Sequence, residues 1–375
     1  MKKQKAPQRH VNALKANDVT EVFVREFQLL EAELRSQHQW VLPTLDLMSA
    51  GRPFKPVETQ HDVWEHAHII DRAGHVAAYK MWARQGRVTY DVNEALAAEL
   101  YRSTYDELPG NVFAHLPHIN PLVVLPDPWP VRHGDVDGLV RGFYVYGYQD
   151  DPPQLAFTND EIINALGLLF VIDLVAMDTG EVTGQTLIRL SVPTTLASFT
   201  FEDAVEFSAD RVEGRYAVQN AQEQALVREL IKTLLRPALS LLIYLCCDNR
   251  DAVEVPVSKP VKRKASRASG RDPFFVEVGW RMGPKLHAAR RLAGTDISGP
   301  GVPTGIRRAA HQRAGHFHKY RVGPGRPQDR TQTITRWVMP TWVGLGELPE
   351  DADPITTVVS VESQRRDPMR RRGLK

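Results

Sequence analysis

Leu166 to Met177 reads LGLLFVIDLVAM, and apart from Gly167 and Asp173 every position is apolar. Such a run, rich in Leu, Val, Ile and Phe, predicts a strand central in a sheet. Upstream, Leu139 to Tyr148 reads LVRGFYVYGY, a second strand pattern of aromatic and β-branched residues. Downstream, the turn Asp178-Thr179-Gly180 leads into Thr186 to Val192, TLIRLSV. Strands that follow one another through short turns pair in hairpin fashion, whereas a doubly wound sheet needs a helical crossover between strands. The fold class that follows is α+β: a mixed or antiparallel sheet packed by helices, followed by a smaller basic C-terminal domain.

The helical segments flank this sheet. A helix is predicted from Asp18 or Thr20, either of which can cap it, to about His38, with Phe23, Phe27, Leu30 and Leu34 on its apolar face. Residues 39–60, with Pro43, Gly51, Pro53 and Pro56, read as a loop. A short helix is expected from His75 to Gln85, a strand from Arg87 to Asp91, and a helix from Val92 to Ser103 with Leu96, Leu100 and Tyr101 inward. The prolines between Tyr105 and Pro130 exclude long helices and leave Asn120 to Leu125 extended. Phe201 to Ala209 reads as a short helix. Gln219 to Cys247 is the longest helical pattern, with a leucine stripe that predicts core packing and a Pro237 that predicts a kink or a division. Cys246 and Cys247 are neighbours in that apolar helix, which predicts buried thiols and a reducing, cytoplasmic setting.

The 375 residues carry a net charge of only +2, yet the sign is divided along the chain. Residues 257–375 hold 24 basic and 10 acidic side chains, a net of +14, and residues 1–256 hold 23 and 35, a net of −12. Such asymmetry concerns partners. The organisation expected is a disordered basic N-terminus (1–17), an acidic body (18–256), a basic linker (257–271), a basic His/Arg/aromatic domain (272–346) and a disordered tail (347–375). No apolar run is long enough to span a bilayer and none follows the basic start, so neither a membrane nor a secretory signal is expected.

The basic domain is dominated by residues 306–344, IRRAAHQRAGHFHKYRVGPGRPQDRTQTITRWVMPTWVG. Arginine and lysine neutralise phosphates, and rings or guanidinium planes stack on unpaired bases. The candidate nucleic-acid contacts are Arg307, Arg308, His311, Arg313, His316, Phe317, His318, Lys319, Tyr320, Arg321, Arg326, Arg336 and Trp337; the plain alternative is a solvated basic face beside a hairpin. His316 and His318, two apart, would share one face of a strand, with His311 or Asp329 as a third metal ligand. Carboxylates are scarce there, and no Cys or acid cluster has metal-motif spacing, so no metal and no cofactor is expected. No placed nucleophile and no phosphate-binding loop stands out, and Gly323-Pro324-Gly325 reads as a turn.

Local strings in order carry a family resemblance. They are Glu107-Leu108-Pro109 with Val112 to Pro117, Val140 to Phe143, Leu241 to Cys246, Asp272 to Phe274 through Gly279 to Arg281-Met282-Gly283, and above all Gly315-His316-Phe317-His318, the Gly323-Pro324-Gly325 turn, Arg336-Trp337 and Pro340. Over roughly residues 105–345 the chain resembles the type V-A anti-CRISPR proteins of mobile elements, which lower production of an RNA-guided nuclease. The family pattern favours an arginine before the Gly-His pair and a tryptophan between the histidines, where this chain has Ala314 and Phe317. The resemblance implies a protein that recognises the nascent polypeptide of a target nuclease and acts on the translated mRNA or ribosome; with no placed nucleophile, the reading adopted is a binding protein without catalysis of its own. A phage or plasmid nucleic-acid-binding regulator and a metal-dependent nuclease are the alternatives.

Overall fold

In β5 (Ala165–Val175) the first eight residues are buried, and alternation explains why. Leu168, Phe170 and Ile172 enter one hydrophobic core while Leu169 and Val171 enter another on the opposite face. A strand with a core on each side has no use for polar alternation, hence the unbroken apolar run. The computed structural model describes residues 8–50, 63–147, 165–216, 220–255, 274–286, 311–322 and 332–343, save for short gaps at 104, 106, 110, 134–135, 177–178, 180, 195, 197, 284–285 and 314.

The central sheet also contains β1 (Val88–Val92), β3 (Leu122–His133), β4 (Val136–Tyr146), β6 (Val182–Pro193), β8 (Ala252–Val255) and β9 (Phe274–Val278). Between them, β2 (Leu108–Pro109) and β7 (Ser198–Phe199) form a small antiparallel pair of their own. The spatial order is β6-β5-β4-β3-β1-β9-β8. Strand β1 runs parallel to both β3 and β9, and the remaining neighbours are antiparallel. The fold is therefore α+β with a mixed sheet packed by helices. Strand β9 lies beyond the basic linker in sequence yet sits between β1 and β8, so the described core continues across that linker.

Helices α1 (Gln8–Gln37), α2 (Leu42–Ser49) and α3 (Val63–Arg84) lie to one side. Phe23, Phe27, Tyr79 and Trp82 from α1 and α3 pack with Leu122, Val124, Tyr144, Leu169 and Val171. Phe27 stacks on Tyr79 and meets Tyr144 edge-on at 5.3 Å. The opposite face carries α4 (Glu94–Arg102), α5 (Phe201–Tyr216) and α6 (Ala221–Cys246) over Tyr90, Val123, Phe143 and Phe170.

Several sequence expectations need correcting. Helix α1 begins at Gln8, before the proposed caps. Residues 42–49 form a helix because Pro43 stands in its first turn, where a missing N–H costs nothing. Helices α3 and α5 exceed their predicted lengths, and β3 runs on to His133. Tyr101 is exposed. Pro237 does not divide α6. An interior proline costs about 3 kcal/mol, but each fully buried leucine returns about 1.5–3 kcal/mol, and Leu234, Leu235, Leu239, Leu241, Leu242 and Leu245 are all buried. Cys246 and Cys247 are buried free thiols, and burial pushes the Cys247 thiol up to about 12, away from thiolate chemistry.

Candidate nucleic-acid interface

Four strands come from the basic stretch: β10 (His311–Arg313), β11 (His316–Val322), β12 (Gln332–Val338) and β13 (Thr341–Val343). Strands β12 and β13 follow one another across Pro340 but do not pair with each other. Strand β12 pairs antiparallel with β11, and β13 with β10. In the β11–β12 hairpin His316 lies opposite Val338, Phe317 opposite Trp337, His318 opposite Arg336 and Tyr320 opposite Ile334.

Alternation along β11 sorts these residues into two faces. His316, His318 and Tyr320 share one face and are exposed, as the two-residue spacing of the histidines requires. The His318 ring meets Tyr320 edge-on at 4.6 Å, and the Arg336 guanidinium lies 5.8 Å from the Tyr320 ring centre. A ring, an imidazole and a cation thus sit side by side at the surface. Lys319 and Arg321 alternate to the other face and are exposed as well.

That other face also docks the hairpin on the body. Trp337 is 2% exposed, and its Nε1–H donates to Ser103 Oγ at 3.0 Å. Tyr244 of α6 meets the indole edge-on at 5.5 Å. Asn249 clamps its main chain, donating to the Trp337 carbonyl at 2.8 Å and accepting from its N–H at 3.2 Å. Phe317 is half-buried, with Tyr105 edge-on at 6.4 Å. Gly315 lies against the indole, where an added Cβ would come within 2.8 Å of the ring. Trp337 must therefore be removed from the expected contact residues: its ring faces are taken by protein. Of the expected rings, the one that stands exposed at the surface is Tyr320.

His311 and Arg313 lie on β10, in register with Val343 and Thr341. Arg307, Arg308, Arg326 and Asp329 lie outside the described residues, as does the Gly323-Pro324-Gly325 turn. Among the described residues no group of three or more His, Cys, Asp or Glu side chains is placed to hold a metal ion.

Beside the Asn249 clamp is a cavity of about 250 Å³ lined by Asn249, Arg250, Asp251, Arg281, Met282 and Met339. Asp251 organises it, accepting from the Arg281 side chain at 2.5 Å and from the main-chain N–H groups of Arg281 and Met282. Nothing in the sequence joins these positions; they meet only because β9 enters the sheet beside β8.

The family model described as AcrVA2-like, anti-CRISPR type V subtype A2, matches residues 90–345, more than half of the chain. The chain belongs to that family. The matched span opens within β1 and closes just after β13, so it contains β2 to β13 whole and leaves α1 to α3 outside. All the strings that carry the resemblance fall inside it. Among solved structures, one described as the crystal structure of AcrVA2 is similar at 17% identity, covering 86% of this chain and 97% of that chain with a TM-score of 0.45. No curated protein matches. Among the described residues no helix is long and apolar enough to cross a membrane.

Proposed function

We propose that this anti-CRISPR family member lowers production of an RNA-guided nuclease by engaging its nascent polypeptide and the message under translation. The exposed side chains of the hairpin are the RNA contact in this reading. The observation that carries it is the row His316, His318, Tyr320 with Arg336 across from it, together with Lys319 and Arg321, which are exposed on the hairpin's other face. The ring offers a stacking platform and the cations neutralise phosphates. The acidic residues 1–256 and basic residues 257–375 fit a polypeptide and a polyanion as the two partners.

Binding of single-stranded RNA and duplex DNA by the purified protein across a salt series tests the RNA half. The wild type binds RNA with a steep salt dependence. The triple variant Lys319→Ala, Arg321→Ala, Arg336→Ala loses about 2 from the log–log salt slope, since each phosphate contact on a single strand contributes about 0.7. An unchanged slope removes the hairpin from the interface. Preference for duplex DNA of one sequence moves the gene-regulator reading ahead.

A further inference from the structure

Strand β6 ends the sheet, and among the described residues no strand lies beyond it. At Ser191 its outer edge is already occupied. Ser208 of α5, fully buried, accepts from the Ser191 N–H at 3.3 Å and donates to the Ser191 carbonyl at 2.5 Å. One hydroxyl thus satisfies the main-chain groups that a neighbouring strand would otherwise satisfy. Its position also fixes a direction: the main-chain groups of Ser191 point away from β5.

In an antiparallel pair, alternate residues point their N–H and C=O outward. The register between β5 and β6 is unbroken from Ala165↔Pro193 to Leu174↔Gly184. Arg189, Leu187 and Gln185 therefore point the same way as Ser191; Arg189 is buried, with its guanidinium on Asp71, and at Leu187 and Gln185 no described strand pairs with the outward groups. Each face of the site offers one apolar side chain. Leu187 is half-buried against the core under α1 and α3, and Ile188 is half-buried against the core under α6. A strand laid along this edge would gain main-chain hydrogen bonds at two rungs and apolar contact above and below the sheet.

Charge selects the occupant. Helix α5, which closes the neighbouring part of the edge, carries Glu202, Asp203, Glu206, Asp210 and Glu213; Arg228 of α6 pairs with Glu206 and Glu213, Asp203 accepts from Thr200 at the helix start, and Glu202 and Asp210 stand exposed. Asp178 and Glu181 lie in the segment joining β5 to β6. We infer that the edge of β6 at Gln185 and Leu187 accepts an extended, basic polypeptide segment as an eighth strand. Its assignment as the place where a nascent chain is read rests on the function proposed above; the edge itself rests on the geometry.

The test is amide hydrogen exchange of the full chain with an alternating Lys/Val octapeptide and with its Glu/Val counterpart. The Lys/Val peptide is expected to slow exchange at the Gln185 and Leu187 amides by about tenfold or more, and the Glu/Val peptide to leave them unchanged. No slowing, slowing confined to other amides, or equal slowing by both peptides overturns the inference. Slowing that follows protein concentration without peptide also overturns it, by making the edge a contact between copies of this chain. Leu187→Pro removes an outward N–H without removing a bond to β5 and should abolish the effect. If that variant fails to fold, Lys/Val peptide N-methylated at alternate residues must bind at least about tenfold more weakly, since it lacks the donors the edge needs. RNA binding is measured on the same samples. Intact RNA binding without edge protection rejects the edge alone, and edge protection without RNA binding rejects the RNA half of the proposed function alone.

Discussion

Two rings on one hairpin have opposite fates, and the pleat decides which. Trp337 follows the parity of Phe317 and is held by Ser103, Tyr244 and Asn249; Tyr320 follows the parity of His318 and stands at the surface beside Arg336. The sequence supplies the residue types and the spacing of the histidines, but which face meets the body depends on Asn249, 88 positions from Trp337, and no local pattern encodes that. The two classes of residue should separate in measurement. Trp337→Ala is expected to cost about 3–5 kcal/mol in chemical denaturation, as a large buried ring does. Arg336→Ala should stay within about 0.5 kcal/mol of the wild type while weakening RNA binding. Equal stability of the two variants would contradict the docking described.

The elements most legible in the sequence were those whose environment is uniform along their length. Strand β5 and the second half of α6 read correctly because each is buried nearly all round, and long apolar runs have few other solutions. The boundaries that misled were those where a single residue type has two meanings. Pro43 marks a loop by composition but a first helical turn in place, and Pro237 signals a break that the packed leucines of α6 override. Helix α4 is legible from Leu96 and Leu100, and its start is fixed by a local cap that the apolar pattern does not show: Asn93 Oδ1 accepts from the N–H groups of Ala95 and Leu96. Asn93→Ala should cost about 1 kcal/mol in thermal or denaturant unfolding. A loss no larger than that of an exposed substitution elsewhere on α4 would mean the cap contributes little.

At the scale of the whole molecule, β9 ties the two halves of the chain together. It brings Glu277 into register beside Asp91 on β1. Burial, and then the Glu277 charge, push the Asp91 carboxyl up to about 7. A group raised above its unfolded value holds its proton longer in the folded state, so stability falls as pH rises from about 4 towards 7 and the loss is complete above 7. Asp91→Asn should therefore stabilise the protein at pH 8, on the order of 1 kcal/mol or more, with the advantage shrinking towards pH 5. A pH-independent difference in unfolding free energy would contradict this assignment. The charge division was plain from composition, whereas the joining of the two halves through one parallel strand was not, because strand pairing across 180 or so residues leaves no local trace.

We propose that the protein meets its target as a polypeptide and a message together, with the exposed side chains of the hairpin on the message. The measurement that tests it most directly is recovery of tagged protein from translating cells, with sequencing of the bound RNA, for the wild type and the Lys319→Ala, Arg321→Ala, Arg336→Ala variant. The wild type is expected to bring down ribosomes on a small set of messages, puromycin release of the nascent chain to abolish the capture, and the variant to recover none of them. Recovery of DNA, of RNA without ribosomes, or of the same messages by the variant would contradict it.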